Sequence, residues 1–345
     1  MRVALANSTG EFQVAAEETI LDAALDAGFN LPHSCRGGNC GACRARLIAG
    51  RVEYPNGEPL GLSREEVEQG FVLLCQAHAT SDVTMDLVPQ RTVDDIVVKR
   101  LPCRIADITR LSHDVMGVYL KLPAAEPFDY KAGQYLDILL PGGRRRSFSI
   151  AAPARPGGLI ELHVREVQGG AFSAKLFHED MRGELLSVEG PLGNFFYREP
   201  ATGAAPALFV GGGTGLAPLL AILREQAERR SQRPMHLYWG VRARRDLYAE
   251  AVLAELERGG LPLKYVPVLS EPDAGWSGRI GLVHSAVLED FASLEAHEVY
   301  AAGPPAMIEA MRQELPRQGL DLTALYFDSF DYAVDRQRTS SDTKS

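Results

Sequence analysis

Pro206-Ala207-Leu208-Phe209-Val210-Gly211-Gly212-Gly213-Thr214-Gly215-Leu216-Ala217-Pro218-Leu219-Leu220-Ala221-Ile222-Leu223 is free of charge from end to end. Such a stretch raises the question of a membrane span, which needs about 20 apolar residues in one helix. Four glycines in its middle, with Pro218 behind them, do not belong in a spanning helix. They belong to a strand (207–210), a tight loop, and a helix on which Leu219, Leu220, Ile222 and Leu223 share an apolar face. The loop is not G-x-G-x-x-G, because Leu216 holds the last place, and it lacks the Gly-Lys-Ser/Thr of a Walker loop. Its physics is still that of a phosphate cradle: backbone amides and a helix N-terminus at the end of a first strand.

Outward from this loop, strand and helix alternate. Strands are predicted at 236–239, 263–269, 298–301 and 325–327, and helices at 217–230, 248–258, 283–291 and 306–313. A series of this kind gives a parallel, doubly wound α/β unit over 204–334. Upstream, residues 102–200 carry short strand signals at 115–122, 134–140, 147–151, 159–167 and 184–189, with Pro/Gly turns between them and one helix at 171–179. That spacing points to a small β-barrel. Residues 1–90 form an α+β unit with a helix at 18–28, a Gly/Cys loop at 35–43 and a strand at 44–48. The stretch 91–101, without glycine or serine, reads as a linker that packs, and the polar tail 335–345 reads as disordered.

The chain has 345 residues, 46% of them apolar and 23% charged, enough for two or three domains with ordinary cores. A net charge of −9 argues against nucleic acid as a partner. The first 90 residues hold 12 acidic against 6 basic side chains, so the acid excess is concentrated there. It is either a solvated surface or a docking face for a basic partner. The N-terminus has no apolar core of signal-peptide length, and the expectation is a cytoplasmic protein with no membrane segment. No segment forms an obvious interface, so a monomer is expected.

Cys35, Cys40 and Cys43 are spaced C-x4-C-x2-C, and Cys75 follows after 31 further residues. Three thiolates on one loop and a fourth from a distant strand suit the two irons of a [2Fe–2S] cluster. Gly37, Gly38 and Gly41 allow backbone amides to approach the cluster sulfurs. Structural zinc favours two C-x2-C knuckles, and only Cys40/Cys43 make one; a Rieske centre needs two histidines that His33 and His78 do not supply. Cys103 is left over as a small buried hydrophobe.

Arg146-Ser147-Phe148-Ser149 ends a basic turn and begins a strand. A guanidinium for phosphate, an aromatic ring for stacking and a hydroxyl for a ring nitrogen or oxygen together suit a flavin. A strand Glu161-Leu162-His163-Val164-Arg165 and a helix opened by Gly169-Gly170-Ala171-Phe172-Ser173 follow, the latter an anion site.

The cysteine loop resembles the plant-type [2Fe–2S] ferredoxins over residues 2–90, which implies a β-grasp-like fold. The order of Arg146–Ser149, His163–Arg165 and Gly169–Ser173 is similar to the ferredoxin–NADP reductase superfamily, which implies a Greek-key flavin barrel. In it, Arg146 and the amides of Gly170, Ala171 and Ser173 would hold the flavin pyrophosphate and Phe148 would cover the ring. Within that superfamily Gly212, Gly213, Thr214 and Gly215 look like the nicotinamide-nucleotide loop. Arg242 stands where adenosine-ribose contacts fall, and the string around it looks like the NADH-using reductases, with NADPH possible. The family's Cys-Gly-x-Pro becomes Ala302-Gly303-Pro304-Pro305, which keeps the turn and loses the thiol. Phe330, in the terminal Tyr326–Phe330 string, is the aromatic that would approach the flavin, and Ser149 and Phe330 are the candidate catalytic residues.

Residues 2–334 as a whole resemble the one-chain reductase components of multicomponent oxygenases. The implied cofactors are FAD, NADH and a [2Fe–2S] cluster, and the implied partner is an oxygenase, a Rieske ferredoxin or a hydroxylase component. A reductase serving a deoxysugar dehydratase has the same domain order. A non-enzymatic electron carrier is the reading from another class.

Overall fold

The computed structural model describes all residues except 7–9, 30, 34–35, 39–40, 42, 60, 63, 88–96, 142–143, 201–204 and 331–345, and the side chains of 64 and 65. Cys35, Cys40, most of the linker and the polar tail therefore lie outside the described residues. Three main sheets follow one another along the chain.

The first contains β1 (Arg2–Leu5), β2 (Glu11–Gln13), β3 (Arg44–Ala49), β5 (Phe71–Leu73) and β7 (Val83–Asp86), in the order β2–β1–β7–β3–β5. Only β1 and β7 are parallel. A ribbon of β4 (Val52–Glu53) and β6 (His78–Ala79) lies beside it. Helix α1 (Ile20–Asp26) is capped by Thr19, whose Oγ1 accepts from the Asp22 amide, and it buries Ile20, Leu21, Ala23 and Ala24 in the unit's core. A one-turn α2 (Arg64–Glu68) was not legible in the sequence. Cys75 sits in the turn after β5 rather than on the strand itself.

The second sheet runs β11 (Arg145–Ser149), β10 (Tyr135–Leu139), β13 (Leu185–Leu192), β8 (Lys99–Arg110), β9 (Val115–Lys121) and β12 (Ile160–Arg165). Every pair is antiparallel, and a bridge between Ile150 and Leu162 brings the two ends together into a barrel. Strand β8 corrects the linker reading, because it starts at Lys99. Leu101, Cys103 and Ile105 alternate into the barrel core, and Pro102 interrupts a sequence pattern that would otherwise announce a strand. Pro102 is tolerated because this half of β8 pairs only with β13. Helix α3 (Ala171–His178) packs Phe172 and Leu176 against the same core.

The third sheet is parallel throughout, in the order β17 (Arg279–Ile280), β16 (Leu263–Leu269), β15 (Met235–Val241), β14 (Ala207–Gly212), β18 (Glu298–Gly303), β19 (Leu325–Ser329). One face carries α4 (Leu216–Glu228) and α5 (Glu250–Arg258), the other α6 (Val283–Asp290) and α7 (Pro305–Glu314). All six residues of β14 are buried, as a central strand covered on both faces requires. The strand runs two residues past its predicted end, because Gly211 and Gly212 stay in register with Trp239 and Gly240. The chain leaves β14 toward β15 and later returns on its other side at β18. The C-terminal end of β14 is therefore the topological switch point, where open α/β sheets bind ligands. No described helix is long and apolar enough to cross a membrane.

Candidate active site at the junction of barrel and parallel sheet

A cavity of about 220 Å³ opens between the barrel and the switch point. Strand β11 presents Arg146, Ser147, Phe148 and Ser149 to it. From β12 come His163 and Arg165, and from the turn into α3 come Gly170 and Ser173. The parallel sheet contributes Thr214 and, from the end of β19, Phe330. Residues from five sequence motifs, spread from 146 to 330, thus converge on one space.

Other expected residues stand off it. Val164 points the opposite way along β12 and is buried in the barrel core, as the two-residue period demands. Arg242 is exposed beyond the end of β15 and does not line the cavity. Ala171 begins α3 beside Gly170. Gly212, Gly213 and Gly215 flank Thr214 in the turn between β14 and α4, and Gly303 and Pro304 pack against them.

Seven lining residues escaped the sequence reading: Tyr135, Arg145, Val167 and Phe172 on the barrel side, and Ala217, Asp328 and Ser329 on the other. Asp328 had a signal, since it lies inside the aromatic string 326–330. Tyr135 had none beyond its place in an apolar strand.

The loops are held by specific bonds. Ser173 Oγ donates to the Gly170 carbonyl (3.1 Å) and accepts from the Val167 amide (3.2 Å), and the Gly170 amide donates to the Val167 carbonyl (2.9 Å), closing the turn that opens α3 beside the cavity. The Gly170 amide expected to hold phosphate is therefore used within the turn. Ser149 Oγ donates to Asp328 Oδ2 at 3.2 Å, and the Phe330 amide donates to the Gly303 carbonyl at 3.2 Å. Trp239 Nε1 donates to the Gly213 carbonyl at 2.9 Å, fastening the glycine turn to β15. A Cβ on Gly215 would fall 2.0 Å from the Ala302 carbonyl oxygen, so only glycine fits there. Ala302 itself is fully buried behind the turn and does not line the cavity.

A charged network ties the two units together beside the site. Glu161 accepts from His163 Nε2 (3.0 Å) and from Arg224 Nη1 (2.7 Å), the latter on α4 directly after the glycine turn. A carboxylate only accepts, so in the neutral ring His163 Nδ1 accepts from the Tyr248 hydroxyl at 3.1 Å. Burial alone pushes the Glu161 carboxyl up, but the His163 bond and the Arg224 charge outweigh it and hold it below the usual carboxylate range. Arg165 is oriented by Asp114, Nε to Oδ2 at 2.9 Å.

The cysteine loop has its own frame. Cys43 and Cys75 are both buried, and the Leu74 amide donates to the Cys43 carbonyl (3.1 Å), which brings their segments together. Gln76 Nε2 donates to the carbonyls of Arg36 (3.0 Å) and Cys75 (2.9 Å). Gly38 takes φ +78°, and a Cβ there would meet Gln76 at 2.8 Å. Two buried thiols on tightly bonded turns fit a thiolate-ligated cluster. The cavity, with its arginine, glycine turn and aromatic rings, fits a flavin beside a nucleotide.

Fold and site together define a cofactor-dependent oxidoreductase with a ferredoxin-like unit attached. Three sequence families match in the same order: the 2Fe-2S iron-sulfur cluster binding domain over 3–80, the oxidoreductase FAD-binding domain over 102–197, and the oxidoreductase NAD-binding domain over 209–313. The chain is 39% identical over 312 residues to the CDP-6-deoxy-L-threo-D-glycero-4-hexulose-3-dehydrase reductase of Yersinia pestis, covering 90% of this chain and 93% of that one. It is 34% identical over 327 residues to the xylene/toluene monooxygenase electron transfer component of Pseudomonas putida, covering 93% and 91%. Among solved structures, the cytochrome P450 reductase of Amycolatopsis superposes with a TM-score of 0.80 at 32% identity, covering 95% of this chain and 98% of that one. The chain belongs to the family of single-chain reductases in which a [2Fe–2S] ferredoxin unit is fused to FAD- and NAD-binding units. It is an NAD(P)H-dependent flavin iron–sulfur reductase, passing electrons from NAD(P)H through FAD to the cluster and on to a redox protein partner.

Proposed function

We propose that this reductase oxidises NADH and serves an oxygenase, a hydroxylase component or a Rieske ferredoxin as its external acceptor. The observation that carries the reading is the cavity into which barrel strands β11 and β12 and the switch point of the parallel sheet project, with the cysteine-loop segment seated on the same barrel. FAD bound there supplies the conversion of a hydride's electron pair into single electrons. Arg146 and the first amides of α3 would neutralise its phosphates, Phe148 and Phe330 would provide aromatic faces for its ring, and Ser149, fixed by Asp328, would offer its hydroxyl to a ring nitrogen or oxygen. Thr214 and the glycines around it cradle the nicotinamide nucleotide's phosphates at the helix N-terminus. Gly303 and Pro304 shape the floor of that turn. Cys35, Cys40, Cys43 and Cys75 ligate the cluster.

NADH rather than NADPH is favoured by the string from Gly240 to Tyr248, where Asp246 is buried and caps the Ala243 amide at 3.0 Å. The protein works as a cytoplasmic monomer, which light scattering of the purified chain tests. A second reading, service to a deoxysugar dehydratase, is favoured by the 39% identity with the Yersinia pestis reductase.

The deciding experiment is an anaerobic NADH titration followed by visible spectra. One NADH per flavin should bleach the flavin, and the cluster should follow. A flavin that ignores NADH returns the chain to a plain electron carrier. Proteins copurifying with it identify the acceptor, and a dehydratase among them selects the second reading.

A further inference from the structure

Arg36 follows the cluster cysteine Cys35 and takes a left-handed backbone, φ +52°, which a non-glycine residue adopts only when its surroundings hold it there. Its guanidinium is forked. Nη2 donates to Asp22 Oδ1 at 2.9 Å within its own unit, and Nη1 donates to Asp137 Oδ2 at 3.2 Å on barrel strand β10. The Asp137 side chain is 1% exposed, and a carboxylate so deep is kept only where cations and donors meet it. Its other oxygen, Oδ1, accepts from Ser147 Oγ at 2.6 Å, and Arg145 Nη1 lies 3.5 Å from Oδ2. Ser147 stands between Arg146 and Phe148 on the strand that lines the cavity. A path of one peptide link, one ion pair and one hydrogen bond therefore joins a cluster ligand to the flavin-lining strand.

The same short segment makes two more contacts with the barrel. Asn194 Nδ2 donates to the Leu31 carbonyl at 3.2 Å, and the His33 ring stands edge-on to Tyr135 at 6.2 Å between centroids. Of these three, the Arg36 contact is the one between formal charges, and through Asp137 it connects to Ser147 on β11.

We propose that Arg36 and Asp137 are positioning residues for the intramolecular electron step. Their ion pair holds the cluster loop against the flavin-lining strand, so that tunnelling, which falls steeply with the gap, outpaces leakage. The inference rests on the placement of flavin and cluster given above. Each crossing takes one electron from reduced flavin and adds it to the oxidised cluster, with two crossings per NADH. No other bond is made or broken except release of the flavin's proton to solvent. The established activity supplies both reductant and acceptor.

The test uses the full-length protein carrying both cofactors, mixed with NADH under argon. Asp137→Asn, which keeps the volume and the Ser147 bond, should leave flavin bleaching unchanged and slow cluster bleaching by about tenfold or more, as small misplacements do. Arg36→Gln should do the same, and Arg36→Lys should restore most of the rate. In the same preparations, hydrogen exchange of peptides covering 31–38 should quicken in the first two variants and not in the third. Unchanged cluster bleaching, equal slowing of both phases, unchanged exchange, or cluster loss in both Asp137→Asn and Arg36→Gln would each overturn the proposal. A wild-type flavin that NADH fails to bleach sinks the functional reading instead.

Discussion

Ser149 Oγ donates to Asp328 Oδ2 at 3.2 Å, so the last residue of barrel strand β11 is bonded to the last strand of the parallel sheet, 179 positions away. Asp328 is 5% exposed, and a carboxylate at that depth is retained where it orders something. What it orders is the hydroxyl at the mouth shared by the two nucleotide-binding units.

Ser149→Ala should therefore fold normally and lose speed. The missing bond, one of the stronger kind because its acceptor is charged, is worth about 1.4 kcal/mol, or about tenfold in the rate of flavin bleaching by NADH. Rapid mixing under argon reads this directly. An unchanged rate would remove Ser149 from the site.

Gly215→Ala tests the glycine turn. The new methyl would lie 2.0 Å from the Ala302 carbonyl oxygen, which belongs to a central strand and cannot yield. The variant should lose about 1–3 kcal/mol of stability, seen as a lowered Tm, and its KM for NADH should rise. Trp239→Phe removes the indole bond to the Gly213 carbonyl and also part of a fully buried ring packed on Tyr248, so it should raise KM and lower Tm as well.

Much of this was legible before any coordinates. The uncharged run 206–223 announced strand, turn and helix because glycine and proline punctuate it, and the parallel sheet followed. The cysteine spacing and Arg146–Ser149 were equally plain. What stayed hidden has physical reasons. Strand β8 was masked by Pro102 and by basic residues that face outward while Leu101, Cys103 and Ile105 face in. Tyr135 and Asp328 line the cavity only because two separate sheets meet, and no local pattern encodes such a meeting. Val164 and Arg242 stand off the cavity, the first buried in the barrel core by strand alternation and the second exposed beyond the end of β15.

Glu161 sets the acid limit of the barrel's grip on α4. Its carboxyl is held below the ordinary range by His163 and Arg224 despite burial, so the unfolded chain binds its proton more readily than the folded one. The stability it contributes is present above the usual carboxylate range and drains away as pH falls through its lowered folded value. Glu161→Gln should thus cost about 2 kcal/mol at pH 7 in chemical denaturation, with the gap between variant and wild type closing toward low pH. A gap that widens on acidification would reverse the sign and exclude this account.

Cys103 separates structural from ligating thiols. It is 2% exposed, and burial pushes its thiol up to about 11, so almost none of it is thiolate near neutrality. The thiolate is the reactive form, so iodoacetamide at pH 8 should leave Cys103 unlabelled in the native protein. The same reagent should reach Cys43 and Cys75 once iron is stripped by a chelator under reducing conditions, because their turns then lose what holds them closed. Peptide mass spectrometry counts the labels. Cys103→Ser should leave iron content untouched, whereas Cys75→Ser should abolish it while flavin bleaching by NADH continues. Labelling of Cys103 before Cys75 after chelation would mean that the fifth cysteine, rather than Cys75, stands near the cluster.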